Sequence, residues 1–296
     1  MSNYTLIHDI SNWQGYLSKY WQLFKDKGCK AIIIKATEGL AYYNYWKETA
    51  PIVKEQGFLL GSYHYYRQHI QNAEGQWVTC NQKKQAENYY NWIVKCGVKP
   101  NLPPALDVEP GNNPYGISSD GVESCLNYIE QLFGRTPMIY SNPSTLKSIA
   151  KDSWKKYPLW LAHYVDEKNI IIPKPWDKWT IWQFSDKITY TPPNSTAKKP
   201  IDHNWFNGSV EDLYRFCELG EQEVEKYIKT KPDMPADFLR FRNRPLLYSG
   251  DTLAVGRNVK MKVVGGKVKT DIEYWEVELD GYRGFVSANK DYTEVI

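Results

Sequence analysis

The sequence predicts an α/β protein in two parts, an irregular (β/α) TIM-like barrel followed by a small all-β barrel. Three observations support this prediction. Short apolar strands alternate with helices over roughly the first 200 residues, which indicates parallel pairing. Eight such strands can be counted, the number that closes a barrel of this type. The last sixty or so residues change to strict alternation of apolar and polar residues, as in antiparallel sheets.

Length, charge and aromatic content limit the function class. With 296 residues, the chain can hold one large and one small domain. Its net charge of +3 is spread along the sequence without a basic stripe, so we expect no nucleic-acid partner. Aromatic residues reach 15%, and rings with apolar faces and polar edges suit a sugar ligand.

Cysteine, histidine and targeting patterns argue against several other classes. The five cysteines are widely spaced without a C-x-x-C pair, so we expect neither a disulfide framework nor a zinc site. The five histidines lack metal-ligand spacing and no glycine-rich phosphate loop is present, so no metal or cofactor is expected. Because neither a secretory signal nor a membrane-length apolar run is found, we expect synthesis in the cytoplasm without membrane insertion.

Strands and helices alternate along the first 212 residues, which we assign to the barrel. Buried parallel strands read as continuous apolar runs, and helices read as longer segments of mixed polarity. The predicted strands are 5–10, 31–36, 59–66, 104–110, 138–141, 159–164, 180–184 and 201–202. The predicted helices are 17–27, 45–56, 82–95 and 120–133. The later connections are short, so we expect fewer than eight helices.

A helical linker and a small domain complete the prediction. A polar helix begins at Ser209 and is expected to continue, with a possible break at Gly220, to about residue 229. Residues 213–235 form this linker, and residues 236–296 form the small domain. Within that domain, residues 258–263 and 275–279 alternate, and Asp280-Gly281 predicts a tight hairpin turn.

Two carboxylates stand at the end of the fourth predicted strand. Side chains at i and i+2 of a strand share a face, so Asp107 and Glu109 should point into one space. Cleavage of a glycosidic bond needs such a pair. The pattern is weak alone, because roughly four acid-x-acid triplets arise by chance in a chain with 34 acidic residues. Asp271 and Glu273 form such a triplet without supporting context.

Polar and aromatic residues collect where the other barrel strands end. Active sites of such barrels lie at the carboxyl ends of the strands. Asp9 and Asp202 are candidate electrostatic partners of the central pair, and the alternative is that they are structural caps or partners of Lys35. The candidate substrate-binding residues are Tyr63, Tyr65, Tyr140, Tyr164, Trp182, Gln183 and Lys35. Taken singly, the aromatic residues could equally line the core, and Lys35 could form a structural pair with Glu38.

These stretches resemble glycoside hydrolase family 25, the lysozymes that cut bacterial peptidoglycan. The matching segments are 9–15, 35–39, 61–65, 105–109, 182–185 and 201–204. The resemblance implies catalytic roles for Glu109 as general acid, Asp107 as nucleophile or as support for the substrate's 2-acetamido group, and Asp9 and Asp202 in supporting electrostatic roles. Two features depart from the family pattern: the long polar stretch 67–83 and His203.

The C-terminal residues resemble a bacterial SH3-like domain, chiefly through 274–277 and 281–286. Such domains bind cell-wall peptides or sugars. A muramidase with a wall-binding domain resembles a phage endolysin, which reaches the wall through membrane holes made by a holin. The implied partner is peptidoglycan, whereas the oligomeric state stays open. A chitinase-type glycosidase and a non-catalytic wall-binding protein are the alternatives.

Overall fold

The computed structural model describes residues 4–111, 113–192, 196, 198–217, 226–242, 252–269, 272–280 and 282–295. The chain divides into two compact units, Met1–Gly220 and Glu221–Ile296. We call them the barrel unit and the C-terminal unit and describe each by itself.

Eight strands of the barrel unit form a closed barrel, because the first strand pairs with both the second and the last. In chain order they are β1 Thr5–Ile10, β2 Ala31–Glu38, β3 Leu59–Tyr65, β4 Ala105–Asp107, β5 Met138–Ser141, β6 Leu159–Ala162, β7 Ile181–Ser185 and β8 Asp202–Phe206. The closed barrel agrees with the predicted fold class, and each of the eight strands overlaps its predicted position.

The eighth strand corrects the expectation of parallel pairing throughout. Strands β1 to β7 pair in parallel, whereas β8 is antiparallel to both of its neighbours, β7 and β1. Between β7 and β8 the described residues contain no helix, only the ribbon of Thr189–Tyr190 with Lys199–Pro200. Without a helical crossover the chain re-enters the barrel from the end it has just left, so it must run backwards.

Helices cover the outside of the barrel. They are α1 Trp21–Asp26, α2 Asn44–Glu55, α3 Gln82–Cys96, α4 Ser119–Phe133, α5 Pro143–Ile149 and α6 Val210–Phe216. Local sequence sets several ends. Asn81 and Ser118 accept hydrogen bonds from the first turns of α3 and α4, and Gly97 and Gly134 end these helices with φ of 69° and 62°. Short 3₁₀ turns at Asp152–Lys156 and Glu167–Asn169 flank β6.

Alternation along β2 separates two apolar layers. Ile33 lies in the layer inside the barrel, whereas Ile32 and Ile34 lie in the layer between strands and helices. The inner layer is tight, since a Cβ at Gly61 would lie 2.9 Å from Cγ1 of Ile33. This packing leaves little space along the barrel axis except at its ends.

Two short ribbons extend from the carboxyl ends of neighbouring strands. Ala41–Tyr42 folds back on the end of β2. Within the long polar stretch after β3, His69–Gln71 pairs with Trp77–Thr79 in an antiparallel hairpin. The stretch that departs from the family pattern is therefore an ordered projection.

The predicted helical linker is wrong in part. Helix α6 ends at Phe216, and Lys226–Thr230 is a strand of the C-terminal unit. Ile228 of this strand is fully buried and pairs with Met261, so burial in a sheet overrides the polar, helix-like composition. Residues 218–225, including Gly220, lie outside the described part of the chain.

The C-terminal unit is an antiparallel sheet of seven strands around one apolar core. The strands are β9 Lys226–Thr230, β10 Leu239–Arg242, β11 Thr252–Val255, β12 Lys260–Lys269, β13 Glu273–Leu279, β14 Tyr282–Ser287 and β15 Thr293–Val295, in the spatial order β11-β10-β14-β13-β12-β9-β15. The predicted hairpin is present, since Leu279 pairs with Tyr282 and Asp280 has a φ of 51°. Gly281 and Asp271 lie outside the described residues.

All five cysteines are free, and four of them are buried. In the part of the chain that the structure describes, no helix is both long enough and apolar enough to cross a membrane.

Candidate active site

A cleft of about 450 Å³ opens at the end of the barrel where β1 to β7 terminate. Asp202 reaches it because antiparallel β8 begins at that end, where Asp202 pairs in register with Asp9. The cleft is lined by Asp9, Ser11, Trp13, Gln14, Lys35, Tyr63, Tyr65, Asp107, Glu109, Tyr140, Trp160, Tyr164, Gln183, Asp186 and Asp202. Asp9, Asp107, Glu109 and Asp202, which we call the acidic cluster, are thus brought together.

Asp107 and Glu109 both line the cleft, although β4 ends at Asp107 and Glu109 lies beyond the strand. The chain between them stays beside β5. The backbone N–H of Val108 donates to the carbonyl oxygen of Tyr140 (2.9 Å), and the Ser141 hydroxyl donates to the carbonyl of Val108 (2.6 Å). These bonds keep the backbone extended through Val108. Glu109 therefore lies on the same side of the chain as Asp107, facing the cleft.

Asp107 is 6% exposed, and its Oδ1 accepts no hydrogen bond from the described residues. Burial raises its pKa well above the usual value, and the charge of Glu109 adds to this, whereas Lys35 acts in the opposite direction. A buried carboxyl oxygen without a donor is costly. It is therefore available to a donor brought by a ligand.

Glu109 is half-buried, and the acidic environment favours its protonated form. Burial and then the charge of Asp9 raise its pKa, whereas Lys35 lowers it. Its backbone carbonyl accepts a hydrogen bond from Nδ2 of Asn113 (2.8 Å), which fixes the chain that carries the carboxyl group. A raised pKa is what a general acid needs near neutral pH.

Asp9 is held by two amide groups. Nδ2 of Asn204 and Nε2 of Gln183 both donate to its Oδ2 at 2.8 Å. Burial raises the pKa of Asp9 to about 6, while these two hydrogen bonds stabilise the charged form and limit the rise. Asp9 therefore carries a negative charge over most of the neutral range.

A further layer of hydrogen bonds orients the two amides. Oε1 of Gln183 accepts from the hydroxyls of Tyr140 (2.9 Å) and Tyr164 (2.7 Å). Oδ1 of Asn204 accepts from the indole N–H of Trp160 (2.7 Å). Since each amide oxygen is occupied by donors, each NH₂ group must face Asp9.

Asp202 differs from Asp9 in its surroundings. Burial, followed by the charges of Asp9, Asp186 and Glu109, raises its pKa to about 9. Burial therefore favours the neutral form of Asp202, which can donate a hydrogen bond. At Asp9 the two amide donors act against the same effect of burial and stabilise the charged form.

Among the described residues that line this cleft, Lys35 is the cationic one, and it is paired. Its Nζ lies 2.6 Å from Oε2 of Glu38 and 4.7 Å from the ring centre of Tyr65. Glu38 also accepts from the Tyr43 hydroxyl (2.9 Å) and lies 3.6 Å from Arg67. The predicted structural pair of Lys35 and Glu38 is present, with Lys35 facing the cleft.

The candidate aromatic residues divide into two groups. Tyr63, Tyr65, Tyr140 and Tyr164 line the cleft. Trp182 does not, which corrects its assignment to substrate binding. Its indole is 5% exposed, donates to the carbonyl of His163 (2.7 Å) and packs on other aromatic rings in the layer outside the barrel. Side chains alternate along β7, and Gln183 takes the inward position.

Several residues of the site were not predicted from the sequence. Those lining the cleft are Ser11, Trp13, Gln14, Trp160 and Asp186, and Asn204 supports it from behind. Trp13, which is 87% exposed, follows the end of β1, and Asp186 follows the end of β7. The rule that sites form at the carboxyl ends of strands could therefore have indicated both. The signal for Trp160 is weaker, because its strand is apolar throughout.

Comparison with known proteins identifies the family. Residues 8–191 match the model of glycosyl hydrolases family 25. The chain belongs to this family. It is therefore a glycoside hydrolase, as the paired carboxylates of the cleft indicate.

Relatives of this family-25 hydrolase include an N,O-diacetylmuramidase of Chalaropsis sp., 30% identical over 208 residues, which cover 64% of this chain and 89% of the relative. A family GH25 lysozyme structure from Aspergillus fumigatus is 27% identical with a TM-score of 0.57, over 72% of this chain and 99% of that one. The CTP1L endolysin structure is 25% identical with a TM-score of 0.56, over 74% and 71% of the two chains.

Proposed function

We propose that this family-25 hydrolase cleaves the β-1,4 bond between N-acetylmuramic acid and N-acetylglucosamine in bacterial peptidoglycan. The observation that supports this best is the Asp107/Glu109 pair, which lies in an open cleft and has raised pKa values for both carboxyls. The named activity of the Chalaropsis relative agrees with it.

Glu109 serves as the general acid in this proposal. Its protonated carboxyl donates to the glycosidic oxygen, so that the bond to the anomeric carbon breaks and the leaving sugar departs as an alcohol. The resulting carboxylate then takes a proton from water in the second step. Charged Asp9 keeps the pKa of Glu109 raised and stabilises the developing positive charge on the sugar.

Asp107 orients the 2-acetamido group of the substrate in this mechanism. The unpartnered Oδ1 of Asp107 can accept the acetamido N–H, so that the acetamido oxygen attacks the anomeric carbon. Water then opens the cyclic intermediate, and the configuration is retained overall. A covalent sugar adduct on Asp107 is the alternative to this route.

Mass spectrometry of digested peptidoglycan tests the bond assignment. The new reducing ends should be N-acetylmuramic acid, and N-acetylglucosamine ends would overturn it. Removal of acetyl groups from the muramic acid residues should slow initial hydrolysis sharply. Unchanged rates on that material, or a glycosyl adduct trapped on Asp107, would exclude the acetamido route.

The two alternatives from the sequence can be tested directly. A chitinase-type enzyme would cut chitin oligomers, whereas family-25 membership favours wall glycan. A wall-binding protein without catalysis would not clear a suspension of bacterial walls. Clearing by the purified protein, without cleavage of chitin, is the expected outcome.

We propose further that the C-terminal unit is an SH3-like domain that binds the cell wall. A groove of about 580 Å³ on this unit is lined in part by Phe238, Arg240, Arg242 and Tyr292. Phe238 is 46% exposed and Arg242 is 9% exposed. Aromatic and guanidinium groups in one groove suit a wall polymer with polar and anionic groups.

Truncation tests the anchoring role. Because Lys226–Thr230 belongs to the C-terminal unit, the truncated chain should end at Cys217. It should still hydrolyse soluble glycan but lyse whole cells more slowly, since tethering raises the local concentration of the barrel at its substrate. Equal lysis by both forms would remove the anchoring role.

We also propose that the protein is a phage endolysin, made in the cytoplasm and released to the wall through membrane holes formed by a holin. Its similarity to the CTP1L endolysin supports this role. Expression inside susceptible bacteria should cause lysis only when a holin is produced with it. Lysis without any holin would contradict this route.

A further inference from the structure

Aromatic side chains are exposed on the projection that follows β3. Trp77 is 37% exposed and Val78 39%, on the hairpin of His69–Gln71 with Trp77–Thr79. Tyr115, from the loop after Glu109, is 65% exposed and lies beside this hairpin. Its ring centre is 6.1 Å from that of Trp77 and 5.4 Å from that of His69, both edge-on. We call Trp77, Tyr115 and His69 the aromatic rim.

One face of the hairpin, which we call the inner face, carries Ile70 and Val78; it contacts the protein at Ile70 and leaves Val78 39% exposed. Ile70 lies on the inner face, where a Cβ at Gly39 would be 3.5 Å from its Cγ2. His69 and Trp77 alternate with Ile70 and Val78 in the paired strands, so they share the other face with Tyr115. The turn is held by Asn72, whose side chain accepts from the backbone N–H groups of Glu74 (3.1 Å) and Gln76 (2.8 Å). The rings are therefore displayed on an ordered support.

One buried side chain joins this hairpin to the catalytic acid. Asn113 is 3% exposed, and its Nδ2 donates to the carbonyls of Glu109 (2.8 Å) and Tyr66 (3.1 Å). Its Oδ1 accepts from the backbone N–H of Gln68 (2.6 Å), at the base of the hairpin. The loop that carries Tyr115 and the base that carries Trp77 are therefore fixed to each other beside the cleft.

The chemistry of the aromatic rim fits a sugar chain. Exposed rings stack on the C–H faces of pyranose rings, and large exposed apolar groups next to a cleft mark binding surfaces. The exposed neighbours Gln71, Gln76 and Thr79 are uncharged and can hydrogen-bond to hydroxyl and acetamido groups. The two segments that form the rim begin four and six residues after the cleft residues Tyr65 and Glu109.

We propose that the aromatic rim is an additional subsite that binds the peptidoglycan glycan chain beyond the cleft. This inference rests on the proposed function. A chain long enough to reach the rim should bind more tightly than one that fills only the cleft. The enzyme then prefers long glycan chains through a surface that takes no part in bond cleavage.

The experiment measures binding of peptide-free glycan chains, from disaccharide to octasaccharide, to the Glu109→Gln variant by calorimetry. Affinity should rise with chain length in this background. Adding Trp77→Ala and Tyr115→Ala should weaken binding of the longest chains about tenfold and remove the rise. Trp77→Phe with Tyr115→Phe should restore it, because the rings are kept. Val94→Ala, at an exposed apolar position near the far end of α3, is the matched control and should bind like the background.

An unchanged length dependence in the double alanine variant would overturn the subsite, as would an equal loss at every chain length. The proposed function fails separately. If the wild-type enzyme cuts no glycan although long chains bind through the rim, the bond-cleavage proposal is wrong and the subsite stands. If the wild-type enzyme cuts glycan but the double alanine variant keeps the full dependence of affinity on chain length, the subsite is wrong and the bond-cleavage proposal stands.

Discussion

Strands β1 and β8 carry polar residues on both faces, and the two faces behave differently. Toward the cleft, Asp9 pairs in register with Asp202; away from it, His8 pairs with His203. Burial favours the neutral form on both sides. It raises the pKa of Asp9 to about 6 and lowers that of His8 to about 3.

The aspartate pair and the histidine pair differ in the groups that surround them. Asp9 has two amide donors and faces an open cleft. His8 is fully buried, packs edge-on against the ring of Phe24 (4.9 Å), and its Nδ1 has no partner among the described residues. His203 bonds through Nε2 to the Tyr190 hydroxyl (2.8 Å). The inward face is therefore arranged for chemistry, and the outward face contributes to folding stability.

Glu109→Gln should have the largest effect of any inward substitution. Glutamine is nearly isosteric but cannot deliver a proton, so we expect the rate of wall hydrolysis to fall by about 10²–10⁴. The melting temperature should stay close to that of the wild type. Purified variant with wild-type activity would remove Glu109 from the mechanism.

Trp182→Ala, on the outward face of β7, should show the opposite behaviour. Loss of a buried indole should lower the free energy of unfolding by about 3–5 kcal/mol. Activity per folded molecule should change little, because Trp182 does not line the cleft. Denaturant unfolding and kcat measured below the melting transition check both parts, and loss of kcat without loss of stability would return Trp182 to the site.

His8→Leu should sharpen the outward half of the comparison. Because the folded-state pKa of His8, about 3, lies below the ordinary value of 6.5, its contribution to stability is complete above pH 6.5 and declines as the pH falls. Between pH 7 and pH 5 this costs the wild type about 2 kcal/mol. Over the same pH range, the free energy of unfolding of the variant, measured with urea, should fall by about 2 kcal/mol less than that of the wild type. Parallel curves for the two proteins would show that His8 is not responsible.

Asp9→Asn should move the pH profile of the reaction. The charge of Asp9 raises the pKa of Glu109, so its removal lowers that pKa. Since Glu109 must be protonated to act, the alkaline limb of kcat/KM should move to lower pH. An alkaline limb that stays in place, or moves to higher pH, would show that the charge of Asp9 does not raise the pKa of Glu109.

Much of the barrel and of its site could be predicted because the relevant signals are local. Continuous apolar runs identified the eight strands, and the ends of those strands indicated Asp9, Lys35, Tyr63 and Asp107. Trp182 was misplaced because an aromatic residue near a strand end is compatible with either face. The structure shows that Gln183 points toward the barrel axis, so its neighbour Trp182 must point outward.

The sequence by itself determined the alternation of strands and helices, the pair of carboxylates at the end of the fourth strand and the change to an antiparallel sheet, since each depends on periodicity or on neighbours one or two residues apart. The tertiary structure decided the direction of β8, the strand at Lys226–Thr230 and the different surroundings of Asp9 and Asp202. It also decided that Trp77 and Tyr115 lie side by side. These features depend on contacts between residues far apart in the chain, and on the burial that those contacts create.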